Sequence, residues 1–210
     1  MSCWEVNGID LAGKLIVFEG LDASGKSTQA RRLANRLIDA RVDVVSTREP
    51  GGTPIAESLR DVLLERKHHA LLPFSELLLF MVGRAQNTHE VILPALRARK
   101  TVVASRYRLS SLAYQGYGRG LDLGLIRQLN ERATEGTQAD VTFLIDVPEE
   151  YTMRRKAGRG DRIEVETIEF HRRVRRGFLE LTAGDPTVHV LDGTRSIEEI
   201  GDEVALRLGL

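Results

Sequence analysis

The chain has 210 residues, with 30 Lys and Arg against 30 Asp and Glu, 42% hydrophobic and 5% aromatic residues. That length and composition suit one globular domain spanning residues 1–210, and the balanced charge speaks against a dedicated nucleic-acid binder. Cys3 is the only cysteine, which excludes an internal disulfide and a multi-cysteine zinc site. The longest apolar runs, such as 15–18 and 141–145, are far shorter than the roughly 20 residues that span a bilayer. Glu5 and Asp10 interrupt any signal peptide, so a cytoplasmic protein with no membrane contact is expected.

Residues 14–19 read as a strand that runs into the glycine-bearing turn 20–25, after which Ala30, Leu33, Ala34 and Leu37 form one helical stripe. Further strands are expected at 42–46, 101–104, 141–147 and 188–191, and helices at 54–64, 74–97, 123–133, 164–181 and 197–208. Ser196 and Glu199 have the spacing of a capping box at the last helix. Strands alternating with helices predict an α/β fold, a doubly wound parallel sheet of about five strands with helices on both faces. The basic, glycine-bearing run 154–162 has no apolar stripe and reads as an exposed flap, a lid of about residues 153–163. The five histidines show no metal-site spacing, and residues 1–12, including Trp4, suggest no role.

Gly20-Leu-Asp-Ala-Ser-Gly-Lys-Ser27 matches the P-loop pattern, in the strand–turn–helix context that the motif requires. Its glycines let backbone N–H groups close on phosphate oxygens at a helix N-terminus. Residues Gly20, Leu21, Asp22, Ala23, Ser24, Gly25, Lys26, Ser27 and Thr28 are therefore candidates to bind a nucleoside triphosphate, with Lys26 on the β- and γ-phosphates and Ser27 on Mg²⁺. Arg48-Glu-Pro-Gly-Gly-Thr53 follows the second strand, at the sheet edge where such folds bind ligands, and Arg48 can clamp a phosphate. Twenty-five of the 30 basic residues are arginine, whose planar fork suits phosphate. On the long helix Arg84 shares the stripe of Phe80, either snorkelling at the core edge or joining Phe80 in a base pocket.

With Ser105-Arg-Tyr-Arg-Leu-Ser-Ser-Leu-Ala-Tyr-Gln-Gly116, these motifs, from Phe18 to about Leu181, resemble the thymidylate kinase family. The resemblance implies a P-loop kinase that phosphorylates dTMP with ATP and Mg²⁺, commonly as a homodimer. It implies that Arg48 and Arg106 hold the dTMP phosphate, Asp22 contacts the 3′-hydroxyl side, and Phe80 stacks on thymine. Arg84, Ser111 and Gln115 would read the polar edge of the base, and Tyr114 would lie against the sugar. Glu49 would lie near the metal and phosphate, before a cis Pro50. Ala23 and Ser24 occupy the P-loop positions where some members carry a catalytic arginine, so the lid would supply it from Arg154, Arg155, Arg159 or Arg162.

One position departs from the family pattern. Ser105 stands where the family has an aspartate beside the P-loop, which removes a negative charge from the metal site; Asp22 or Glu49 could compensate, with Asp146 a weaker candidate. The alternatives are a nucleotide-binding relative with impaired turnover, a kinase for another nucleoside monophosphate, or a nucleotide-dependent switch.

Overall fold

Leu15–Gly20 is a strand buried at every residue, at the centre of the main sheet. The computed structural model describes residues 5–6, 9–156 and 160–210, with side chains from 11 to 152 and from 160 onward. In chain order, a two-residue hairpin of β1 (Glu5–Val6) and β2 (Ile9–Asp10) precedes β3 (Leu15–Gly20), α1 (Lys26–Asp39), β4 (Val44–Arg48) and α2 (Pro54–Leu64). Then come α3 (Pro73–Asn87), α4 (Leu93–Arg97), β5 (Thr101–Ser105), α5 (Arg108–Ser111), α6 (Leu123–Ala133), β6 (Val141–Asp146), α7 (Glu149–Lys156), α8 (Ile168–Thr182), β7 (Val188–Asp192) and α9 (Ile197–Arg207). The main sheet has the order β4-β5-β3-β6-β7 with every pairing parallel.

Both faces of the sheet are covered, as near-continuous apolar strands require. On one face Ile16, Phe18, Val103, Phe143 and Ile145 meet Leu33 and Leu37 of α1 and Ile200 and Val204 of α9. On the other, Leu15, Val17, Val102 and Ala104 meet Ile92, Ala95 and Tyr107, while Leu144 and Val147 meet Phe170, Val174 and Phe178. The Ser196–Glu199 capping box forms at the start of α9. None of the described helices is long and apolar enough to cross a membrane.

The structure corrects the sequence expectation in three places. The helix expected over 74–97 runs unbroken from Pro73 to Arg97 but is not regular: between α3 and α4 the chain makes a π-helical turn at Thr88–Ile92. Pro94 cannot donate the i→i−4 bond and its ring crowds the preceding turn, so a widened turn is a natural accommodation. Residues 108–118, read only as a motif, are helical, and Leu112–Gly118 is a second π-helical segment. Finally, the run expected as an exposed flap is buried at its C-terminal end, where Arg162 is 7% and Ile163 5% exposed, and residues 149–156 form α7. Arg162 donates its backbone N–H to Leu64 O (2.9 Å) and Nε–H to Leu63 O (2.9 Å), which pins that end of the run to the end of α2.

Candidate active site

The P-loop bridges the carboxyl end of β3 and the first turn of α1. Gly20 has φ +135°, and a Cβ there would stand 2.4 Å from Ile145 O, so only glycine lets the chain leave the sheet at that point. Gly25, at φ +103°, turns the chain into α1. Lys26 is 6% exposed and donates to Leu21 O at 2.5 Å, which folds its ammonium back over the loop. The Ser27 hydroxyl lies 3.3 Å from that of Ser105, the last residue of the adjacent strand β5. Around them a cleft of about 380 Å³ is lined by Asp22, Ala23, Gly25, Lys26, Ser27, Thr28, Arg48, Glu49, Arg60, Ser105, Arg106, Asp161 and Glu164.

A second pocket opens beside this cleft, lined by Asp22, Pro50, Leu64, Phe80, Arg106, Ser110, Ser111, Tyr114, Gln115, Asp161 and Ile163. Phe80 supplies a flat apolar wall, and Ser111, Tyr114 and Gln115 supply polar atoms. Asp22 and Arg106 line both cavities and form an ion pair with each other. Tyr114 donates its hydroxyl to Asp22 Oδ2 (2.8 Å) and accepts from Arg106 Nη2 (3.2 Å). Burial opposes the Arg106 charge, but Asp22 foremost, then Tyr114 and Glu19, outweigh it and push its pKa up. Arg106 therefore stays cationic at any working pH. Glu19, fully buried beneath it, accepts from Tyr107 N (2.8 Å), Ser110 N (3.2 Å) and Ser110 Oγ (2.6 Å) and so holds the backbone around Arg106. Burial nevertheless raises the Glu19 pKa, with Ser110 and Arg106 opposing.

A family model described as thymidylate kinase matches residues 18–204. The chain belongs to the thymidylate kinase family. It is 46% identical to a thymidylate kinase of Kosmotoga olearia over 192 residues, covering 90% of this chain and 92% of the relative. It is 46% identical to one of Pelotomaculum thermopropionicum over 190 residues, covering 89% and 88%. A solved thymidylate kinase structure from Ehrlichia chaffeensis superposes with TM-score 0.77 at 37% identity, covering 94% of this chain and 98% of that one.

Against the family expectation, the structure brings Asp22, Phe80, Arg106, Ser111, Tyr114 and Gln115 together in one pocket, and Lys26, Ser27, Arg48 and Glu49 in the adjoining cleft. The Glu49–Pro50 bond is cis. Arg48 pairs with Glu57 through both terminal nitrogens (3.3 and 2.9 Å), and Glu57 also accepts from Gly52 N (2.9 Å), so the helix α2 carboxylate shapes the turn.

Two expectations are displaced. Arg84 is 1% exposed, and its donors are committed within the protein: Nε and Nη2 to Glu49 Oε2 (2.8 and 2.6 Å), Nη1 to Ser111 Oγ (2.9 Å) and Asn130 Oδ1 (2.5 Å), Nη2 also to Tyr107 O (2.8 Å). Four N–H groups are thus hydrogen-bonded within the protein and the guanidinium is paired with Glu49, so in this structure Arg84 is a strut behind the pocket. Arg162 is turned away from the phosphate cleft and pairs with Glu76 at 2.6 Å. The side chains of Arg154, Arg155 and Arg159 lie outside the described residues.

Sequence reasoning missed Arg60, Asp161 and Glu164 of the cleft. Arg60 donates to Pro50 O (2.8 Å) and has no carboxylate partner among the described residues. Burial first, then the neighbouring charges of Arg48 and Arg106, lower its pKa. Four cations, Lys26, Arg48, Arg60 and Arg106, thus face one cleft beside four carboxylates, Asp22, Glu49, Asp161 and Glu164, and the cations are the groups that can meet an anionic ligand. The signal was there: Thr53, Glu57, Arg60 and Leu64 share one face of α2 at helical spacing.

Proposed function

We propose that the chain transfers the γ-phosphoryl group of ATP to dTMP, giving dTDP and ADP for dTTP supply, in the cytoplasm. One observation carries this reading: the P-loop cleft and the pocket walled by Phe80 and Gln115 share Asp22 and Arg106. A phosphate donor in the first and a nucleoside monophosphate in the second therefore meet at the wall that carries Arg106. In the transfer the bond from the γ-phosphorus to the β–γ bridging oxygen breaks, and a dTMP phosphate oxygen bonds to that phosphorus. The protein's part is to neutralise repulsion and hold the two anions in line. Lys26 serves the donor phosphates, and Arg48 and Arg106 the acceptor. Phe80 offers its face to thymine, Ser111 and Gln115 lie at the polar edge, and the Tyr114–Asp22 pair lies at the sugar.

The residues at the cleft fit a magnesium ion. Ser27 and Ser105 present adjacent hydroxyl oxygens, and Glu49 Oε1 is buried with no hydrogen-bond partner among the described residues, in a residue that lines the same cleft. Hard oxygen donors of this kind suit Mg²⁺, which when bound neutralises phosphate charge. The arginines of α7 and the residues after it, Arg154, Arg155 and Arg159, would cover the transferring group and exclude water. The homodimer implied by the resemblance would cover the exposed apolar stripe Phe74, Leu78 and Val82 of α3, with Leu72 just before it; solution mass measurement tests it.

A coupled assay with ATP, Mg²⁺ and a panel of dTMP, dUMP and dCMP tests the function. The expected result is turnover with dTMP favoured; preference for another acceptor, or nucleotide binding with no transfer, refutes it. Ser105→Asp restores a carboxylate, and by analogy with residues that orient metal ligands it should lower the Mg²⁺ requirement about 10–100-fold. A wild type without turnover beside an active Ser105→Asp variant would show that the serine disables the enzyme.

A further inference from the structure

Glu76 of α3 lines neither cavity, yet it is 1% exposed and carries four hydrogen bonds. Its Oε1 accepts from Gln115 Nε2 (2.8 Å) and Arg119 Nε (3.3 Å), and its Oε2 from Arg119 Nη2 (3.1 Å) and Arg162 Nη2 (2.6 Å). Burial opposes ionisation, but Arg119, Gln115 and Arg162 outweigh it and hold the carboxyl below its ordinary pKa. Arg119 is itself braced by Glu166 (2.5 Å) and lies over the Phe170 ring at 4.7 Å. The carboxylate is thus ionised and fixed in its plane by two arginines.

An ionised carboxylate only accepts, so the end of the Gln115 amide that faces it must be the NH₂. The amide oxygen accepts from no described residue and is the end left for the pocket that Gln115 lines. Arg84, the other expected reader of a base edge, does not line this pocket and bonds to Glu49, Ser111, Asn130 and Tyr107 instead. We propose that Glu76 is a positioning residue that sets base preference, holding Gln115 so that the pocket presents a hydrogen-bond acceptor to the ring edge of its ligand. A pyrimidine with a ring N–H, such as thymine, satisfies that oxygen; cytosine meets it with a bare ring nitrogen and two lone pairs collide. The inference rests on this pocket being the acceptor site.

The test measures binding of dTMP and of 5-methyl-dCMP by calorimetry, since the two differ only at the base edge in question. Wild type should prefer dTMP by at least about 100-fold, because a site built to bond one hydrogen rejects its inverse strongly. In Glu76→Gln the new amide can either donate or accept, Gln115 can flip, and the preference should fall at least about tenfold, chiefly through tighter 5-methyl-dCMP binding. Glu166→Gln weakens the same ion network without touching Gln115 and should keep the wild-type ratio. If Glu76→Gln does not fold, Glu76→Asp keeps the charge but draws it back from Gln115 and should give an intermediate ratio, and Gln115→Met should lose the preference outright. An unchanged ratio in Glu76→Gln or Glu76→Asp, or a preference that survives Gln115→Met, overturns the proposal. A wild type that binds dTMP no better than 5-methyl-dCMP overturns the acceptor-site reading instead.

Discussion

Arg84→Met separates a strut from a base reader. The substitution keeps much of the aliphatic volume but removes five N–H donors from a site 1% exposed. Four acceptors lose their partner: Glu49 Oε2, Ser111 Oγ, Asn130 Oδ1 and Tyr107 O. The dominant loss is the buried Glu49 carboxylate, whose other oxygen already lacks a hydrogen bond. Removing one member of a buried pair costs about 3–5 kcal/mol, which for a chain this long corresponds to a fall in Tm of about 6–20 °C. Urea unfolding of the ligand-free protein reads it directly, with the midpoint shifted and the slope unchanged. The pH dependence adds a second check. Burial already raises the Glu49 pKa, against the pull of Arg84, so in the pH window above the usual carboxylate value the folded chain holds this proton more firmly than the unfolded one. Stability from this group therefore falls as pH rises through that window. Loss of Arg84 lifts the folded pKa further, so the penalty should be largest near neutrality and shrink on acidification. A destabilisation below about 1 kcal/mol at pH 7, with dTMP affinity lost instead, would refute the strut and return Arg84 to the base edge.

Lys26→Met removes the buried ammonium of the P-loop and should lower kcat by about 10²–10³-fold, as loss of one preorganised charge donor does; steady-state kinetics with dTMP and ATP check it, and an unchanged kcat excludes Lys26 from the transfer. Gly118→Ala should cost about 1–3 kcal/mol, because its Cβ would stand 2.7 Å from Phe170 Cε2 and 2.9 Å from Val174 Cγ2; thermal unfolding measures it, and an unchanged Tm means that α8 yields freely.

The alternation of strands and helices was legible because buried parallel strands leave apolar runs such as Leu15–Phe18, and amphipathic helices leave stripes such as Leu33 and Leu37. The P-loop was legible because its glycines answer backbone constraints at fixed spacing. The two π-helical segments were not, since their extra residue per turn leaves no mark in a helical periodicity; one of them carries Tyr114 and Gln115 into the pocket. Arg162 was misplaced for a different reason. A basic, glycine-bearing run suggests solvent, and its partner, Glu76, lies 86 residues away in the chain, so only tertiary structure shows the charge neutralised.

Each arginine at a family motif position with a described side chain has a carboxylate partner: Arg48 with Glu57, Arg84 with Glu49, Arg106 with Asp22, and Arg162 with Glu76, which Arg119 shares. The balanced composition is therefore reproduced locally, and what distinguishes these arginines is the burial of the pair. Glu49 and Glu76 are almost wholly enclosed, so their arginines cannot leave without stranding a charge, and these pairs brace the site from behind. Glu57 is 43% exposed and Asp22 17%, and Asp22 lines the cleft. Water can solvate those carboxylates when a phosphate takes over their arginine. The same residue type thus serves as scaffold or as ligand, and the accessibility of its carboxylate partner decides which.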